Sequence, residues 1–172
     1  DVTISNCATI EIVKDAIPND DQDFDFTGPS EFAAESFSLD DNGVESDALP
    51  RSTSFQARFS GSVSFTEQPA DGWDLTDVSC DVVGGSPDLD SDPSAGSVTL
   101  DVGAGDTTRC TFTNTKRGRI LVYQVTNPGA DPQLFGFTLA GGPASDPLDQ
   151  SFDLSDGSAP HDSGLIRSGT YA

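Results

Sequence analysis

Lys14, Glu67 and Asn114 each close an otherwise apolar run in the sequence. Side chains alternate across a β-strand, so residues two apart share a face. Ile10 and Ile12 lead to Lys14, Val63 and Phe65 lead to Glu67, and Cys110 and Phe112 lead to Asn114. An amine, a carboxyl and an amide therefore end three apolar stripes. Buried singly, each would cost several kcal/mol. Placed together they satisfy one another, and they are also the reactants for an internal amide bond. A lysine in a dry pocket is driven toward its neutral, nucleophilic form. A carboxyl there stays protonated and can polarise the Asn carbonyl. Attack of the Lys14 amine on the Asn114 side-chain carbonyl would release ammonia and leave a crosslink that reducing agents do not break. By analogy with a disulfide, closing so long a loop is worth roughly 4–5 kcal/mol. The competing reading makes Lys14 and Glu67 edge residues with solvated tips and Asn114 a strand cap.

The elements that must position these groups are strands. Helical periodicity is nearly absent, and short alternating runs are separated by Gly, Pro, Asp and Asn, the pattern of an all-β sandwich. The spacing predicts strands over 8–15, 22–28, 35–41, 54–68, 73–82, 96–103 and 107–115. It predicts a turn at 40–43 ("DDNG"), where Asn-Gly tolerates positive φ, and a loop over 84–96. A weak helical pattern covers 29–35.

Composition narrows the function classes. The chain has 172 residues and a formal net charge of −21, with Asp far outnumbering Glu. Phosphate binding needs clustered Lys and Arg, so nucleic acid and anionic membrane surfaces are poor partners. A dense Asp surface suits salty or calcium-containing surroundings and keeps an exposed protein soluble. No apolar run is long enough to span a membrane as a helix, and no signal peptide is visible. Of three cysteines, Cys80 and Cys110 can pair, which leaves Cys7 either for an intermolecular partner or as a small buried hydrophobe. The absence of a CxxC pair and the single His161 argue against zinc.

The pattern restarts partway along the chain. "ATIEIVKDAIPNDDQDFDFTG" (8–28) matches "GRILVYQVTNPGADPQLFGFT" (118–138). Ile10 and Ile12 fall on Ile120 and Val122, Pro18 on Pro128, and Phe24 and Phe26 on Phe135 and Phe137. Further on, "SFSLDD" (36–41) resembles "SFDLSD" (151–156) and "FSGSVS" (59–64) resembles "IRSGTYA" (166–172). The expected organisation is a segment 1–7, a sandwich 8–117 and a second, incomplete sandwich 118–172. Segment 1–7 reads as a donor strand or the end of a preceding repeat. Either a longer tandem array or strand addition by a neighbouring subunit would finish the second sandwich. In that copy Gln124 stands where Lys14 stands in the first, so no matching amide bond is expected there.

"IEIVKDAIPNDDQDFDFTG", "SVSFTEQPADGWDLTDVSC" and "CTFTNTKRGRI" resemble the SpaA-like, prealbumin-type (collagen-adhesin B-type) repeat domains of bacterial surface proteins. The likeness covers 8–117 fully and 118–172 in part. It implies tandem Ig-like, prealbumin-like β-sandwiches in an extracellular stalk or pilus-like filament. It also implies a Lys14–Asn114 isopeptide bond assisted by Glu67. No enzyme activity and no cofactor are expected, and the partners would be further copies or repeats. The rival is a surface adhesin that holds a ligand or calcium. Its calcium candidates are Asp21, Asp23 and Asp25 (with Asp20) and Asp88, Asp90 and Asp92, carboxylates spaced two apart in loop-like segments. Trp73 could stack on a ligand but more often such a Trp packs on a sandwich rim. His161, in a polar "APHDSG" segment without a nucleophile elbow, gives little ground for a hydrolase. No N-glycosylation sequon is present, whereas abundant Ser and Thr leave O-linked sugar open.

Overall fold

The strand elements follow from the alternation of Phe, Val, Ile and Thr with polar residues, and all of the described regular structure is β. The computed structural model describes residues 7–30, 35–44, 49–58, 60–85 and 88–172. Most of the helical pattern at 29–35 lies outside the described residues. The chain divides into two compact units, 1–115 and 116–172.

Among its described residues unit 1 holds nine strands: β1 (Ala8–Ile17), β2 (Asp20–Thr27), β3 (Ser36–Asp41), β4 (Ser52–Ala57), β5 (Gly61–Glu67), β6 (Trp73–Gly84), β7 (Asp88–Asp92), β8 (Ser97–Val102) and β9 (Thr107–Lys116). One sheet runs β4-β1-β9-β6 and the other β3-β2-β5-β8-β7. First and last strands lie side by side: β1 pairs β9 in parallel from Thr9↔Thr107 to Ile17↔Thr115. On its other edge β1 pairs β4 antiparallel, from Ala8↔Ala57 to Val13↔Ser52.

The two sheets share one core. Ile10, Ile12, Phe55, Cys110 and Phe112 meet Phe24, Phe26, Leu39, Val63, Phe65, Val98 and Leu100 there. Aromatic rings bind the layers: Phe26 meets Phe112 edge-on with centroids 5.2 Å apart, and Phe55 lies 5.1 Å from Phe65. Such contacts add to plain area burial.

Two expectations need correction. Residues 54–68 are not one strand but β4 and β5, which belong to different sheets. The chain passes from one sheet to the other between them, and β5 opens at Gly61, whose φ of +141° is open to glycine. Phe55, Ala57, Val63, Phe65 and Glu67 are all buried, so the odd-numbered parity survives the crossing and hides it. The 84–96 stretch is likewise not all loop. It contains β7, an edge strand paired with β8 through Leu89↔Leu100. Its charged, Pro-flanked composition conceals it, and edge strands are commonly of this kind.

Unit 2 contains β10 (Leu121–Val122), β11 (Phe135–Gly141), β12 (Leu148–Leu154) and β13 (His161–Asp162). Antiparallel β10–β13 repeats the β1–β4 pairing, and β11–β12 repeats β2–β3. The final residues bridge β11 at Gly141↔Tyr171, as β5 joins β2 in unit 1. The peptide bonds before Pro18 and Pro128 are both cis. Counterparts of β6 to β9 do not occur among the described residues of this unit. Without a β9-like neighbour, β10 ladders on one side only and is two residues long, against ten for β1.

Candidate functional site

The register of β1 on β9 sets the geometry. Lys14 faces Phe112 and Ala16 faces Asn114, so Lys14 and Asn114 point into the core from the same face, one step apart along parallel strands. The four-carbon stem of lysine spans that step. From the opposite sheet β5 brings Glu67, whose backbone N–H donates to Gly96 O at 2.8 Å. Gly96 has φ +67°, and a Cβ there would come within 2.9 Å of the Glu67 carbonyl oxygen. The turn before β8 can therefore approach Glu67 only as glycine.

The three side chains form a buried chain of contacts. Lys14 is fully buried, Asn114 is 2% exposed and Glu67 is 5% exposed. Lys14 Nζ donates to Asn114 Oδ1 at 2.8 Å, to Phe112 O at 2.8 Å and to Asp15 O at 2.9 Å. Asn114 Nδ2 donates to Glu67 Oε1 at 2.6 Å. Glu67 Oε2 lies 3.9 Å from Lys14 Nζ and makes no hydrogen bond among the described residues. The Phe24 ring lies under the amine, 4.2 Å from Nζ to the centroid, a contact that favours the cationic form.

Burial dominates the electrostatics. It lowers the Lys14 amine from its ordinary 10.5 to about 8, against the opposing pull of Glu67, Asp15 and Asp41. It also raises the Glu67 carboxyl, against Lys14 and the Asn114 hydrogen bond. Both shifts favour the neutral pair, amine and acid. Two of the three acceptors around Nζ are backbone carbonyls. These can hold the two N–H bonds of a neutral amine and leave its lone pair for the Asn114 carbonyl.

The other candidate residues are placed as follows. Cys80 and Cys110 join β6 to β9 with an S–S distance of 2.06 Å. Cys7 is half-buried and lies outside that bond. The calcium candidates lie on strands. Asp21, Asp23 and Asp25 stand on the outer face of strand β2, and the Asp88–Asp92 segment is strand β7, so neither is a loop. Carboxylates two apart on a strand are ~7 Å apart along it, whereas calcium needs several oxygens within about 2.6 Å. No metal-holding group of acidic, His or Cys side chains occurs among the described residues. Trp73 is 7% exposed and packs edge-on against Phe24 at 5.3 Å, so it is committed to the core. The His161 ring stacks on Phe152 at 3.5 Å and its Nε2 meets Gln150 Oε1 at 2.8 Å. Gln124 is half-buried and donates to Val125 O.

Sequence reasoning missed two neighbours of the site, Asp41 and Arg51. Asp41 is 3% exposed, and its Oδ1 lies 3.2 Å from Arg51 Nε. Arg51 Nε also donates to Lys14 O at 3.0 Å. Asp41 closes β3 on the same parity as Phe37 and Leu39, a polar group ending an apolar stripe, and that was the available signal.

A family model, SpaA_4, described as a prealbumin-like fold domain, matches residues 10–116. No curated protein matches the chain. No solved structure matches it either.

Proposed function

Because the chain belongs to the SpaA_4 family of prealbumin-like fold domains, we propose that it is a structural module of an extracellular stalk or pilus-like filament, its first sandwich locked by an amide bond between Lys14 and Asn114. One observation carries the reading: a buried amine on the first strand bonded at 2.8 Å to an amide on the last, which is bonded at 2.6 Å to an acid on β5. In the reaction the Lys14 Nζ lone pair attacks Asn114 Cγ, a C–N bond forms, and the carbonyl electrons move onto Oδ1. Glu67, protonated, delivers its proton to Nδ2 and takes one from Nζ in its place, and Nδ2 departs as ammonia when the carbonyl reforms. Glu67 ends as it began. Its two oxygens suit this exchange, one bonded to the leaving nitrogen and the other facing the nucleophile.

Location and assembly rest on further features. The Cys80–Cys110 bond suits an oxidising compartment. Among the described residues, no helix is long and apolar enough to cross a membrane. Among the described residues β10 pairs with β13 alone, and Leu121 on it and Tyr123 and Val125 after it stand exposed. Such an open edge supports completion by further chain, in a tandem array or by strand addition from another copy. Intact-mass measurement tests the lock: the purified chain should be lighter by ~17 Da, one ammonia, with a Lys14–Asn114 linked peptide after digestion. An unmodified mass would refute it. Electron microscopy tests the assembly, with regular fibres expected and monodisperse monomers contradicting self-addition.

A further inference from the structure

Around Lys14 the backbone of β1 is gripped from outside the core. Arg51 does this twice: its carbonyl accepts the Lys14 N–H at 2.9 Å, and its Nε donates to the Lys14 carbonyl at 3.0 Å. Two residues on, Asp41 Oδ2 accepts the Ala16 N–H at 3.0 Å. Arg51 Nε is also 3.2 Å from Asp41 Oδ1, and its Nη2 is 3.2 Å from Asp15 Oδ1. Asp15 Oδ2 in turn accepts from Thr113 Oγ1 on β9 at 3.2 Å. The charges therefore sit beside the one β1 segment whose side chain must reach Asn114.

We infer that Asp41 and Arg51 are a positioning pair for amide formation: they hold the Lys14–Ala16 backbone from its β3 and β4 side and set the charge balance felt by the Lys14 amine. The inference rests on the crosslinking reading above. Neither residue touches the reacting atoms; both act through β1. The charged groups facing the amine are Glu67 on β5, Asp15 on β1, Asp41 on β3 and Arg51 before β4. Burial is the largest influence on the amine, Glu67, Asp15 and Asp41 favour its protonated form, and Arg51 disfavours it. Removing Arg51 thus leaves the carboxylates unopposed and makes the amine harder to deprotonate. Neutralising Asp41 has the opposite effect while Asn keeps an oxygen for the Ala16 N–H.

These opposite signs separate the inference from simple loosening of the fold. Full-length chain recovered unreacted in denaturant is refolded at pH values from about 6 to 10 and quenched at intervals. Loss of ammonia is then read by intact mass. Arg51→Gln should move the midpoint of the rate profile up, and Asp41→Asn should move it down. Each shift should be on the order of half a pH unit, about threefold in rate near neutrality, since Arg51 is partly solvated. Arg51→Lys should restore the midpoint. Both variants slowing at an unchanged midpoint would overturn the inference. If the wild-type chain itself keeps its full mass, the crosslinking reading fails instead. The pair is then judged by NMR titration of the Lys14 amine: opposite displacements in the two variants uphold it, and none refutes it.

Discussion

Glu67→Gln isolates the chemistry from the architecture. Gln keeps the shape of Glu67 and can still accept from Asn114 Nδ2, but it cannot carry a proton between Nζ and the leaving nitrogen. Both reactants stay in place, and the amide should not form. The magnitude follows from the loop that bond would close. Lys14 and Asn114 are 100 residues apart, which corresponds to about 4.7 kcal/mol of lost chain entropy in the unfolded state. The Cys80–Cys110 bond already shortens that loop to about 70 residues, which lowers the figure by only about 0.3 kcal/mol, because the dependence is logarithmic. The variant should therefore be less stable by ~4 kcal/mol, a drop in melting temperature of roughly 16–30 °C for a domain of this size. Two assays are read together: intact mass, and thermal unfolding followed by circular dichroism. The wild type should lack one ammonia and the variant should retain it. A variant that still loses ammonia would refute the role given to Glu67. A wild type lacking ammonia whose melting temperature matches the variant's would refute the loop-closure account of its stability.

Further outcomes follow from the same geometry. With Asn114→Ala the Lys14 amine survives unlinked, and its folded-state value near 8 lies below its ordinary 10.5. The unfolded chain then binds more protons between those values, so stability should rise with pH across that window, by up to about 3 kcal/mol. Glu67, raised on folding, acts with the opposite sign just above its ordinary range; urea titrations at several pH values check both, and a crosslinked wild type should lack the alkaline rise. Thr108 is 1% exposed and its Oγ1 has no hydrogen-bond partner among the described residues. Thr108→Val should therefore stabilise by about 1 kcal/mol in denaturant unfolding. Reducing the Cys80–Cys110 bond, which spans 30 residues, should cost about 3.5 kcal/mol and lower the melting temperature without changing the ammonia loss. Peptide mapping should find Gln124 unlinked, since glutamine carries no nucleophilic amine.

Alternation made Lys14, Glu67 and Asn114 legible, because each continues the parity of a buried stripe and a strand offers only two faces. The same alternation carries the restart read at Ile120, where Phe135 and Phe137 stand in sequence as Phe24 and Phe26 do, although Phe135 is exposed and Phe24 buried. Parity is blind to which sheet a strand joins, so β4 and β5 looked like one strand. It fails at β7, where Leu89 is the lone apolar residue among Asp and Ser. Asp41 was lost in an acidic background, since its partners, Ala16 and Arg51, lie far off in sequence or on another strand. The short β10 was not foreseeable either, because the alternation of "ILVYQV" suits a longer strand.

The parallel pairing of β1 with β9 has a mechanical side. Both strands run the same way, so pulling the Ala8 end of one against the Lys116 end of the other slides them past each other along the whole ladder. The ladder's hydrogen bonds then resist together rather than opening one by one. With the amide in place, tension enters along Ala8–Lys14, crosses to Asn114 and leaves by Lys116. The intervening polypeptide, including the Cys80–Cys110 link, carries none of it. Unit 1 would then behave under load as a short covalent tether with a folded domain hung on its side.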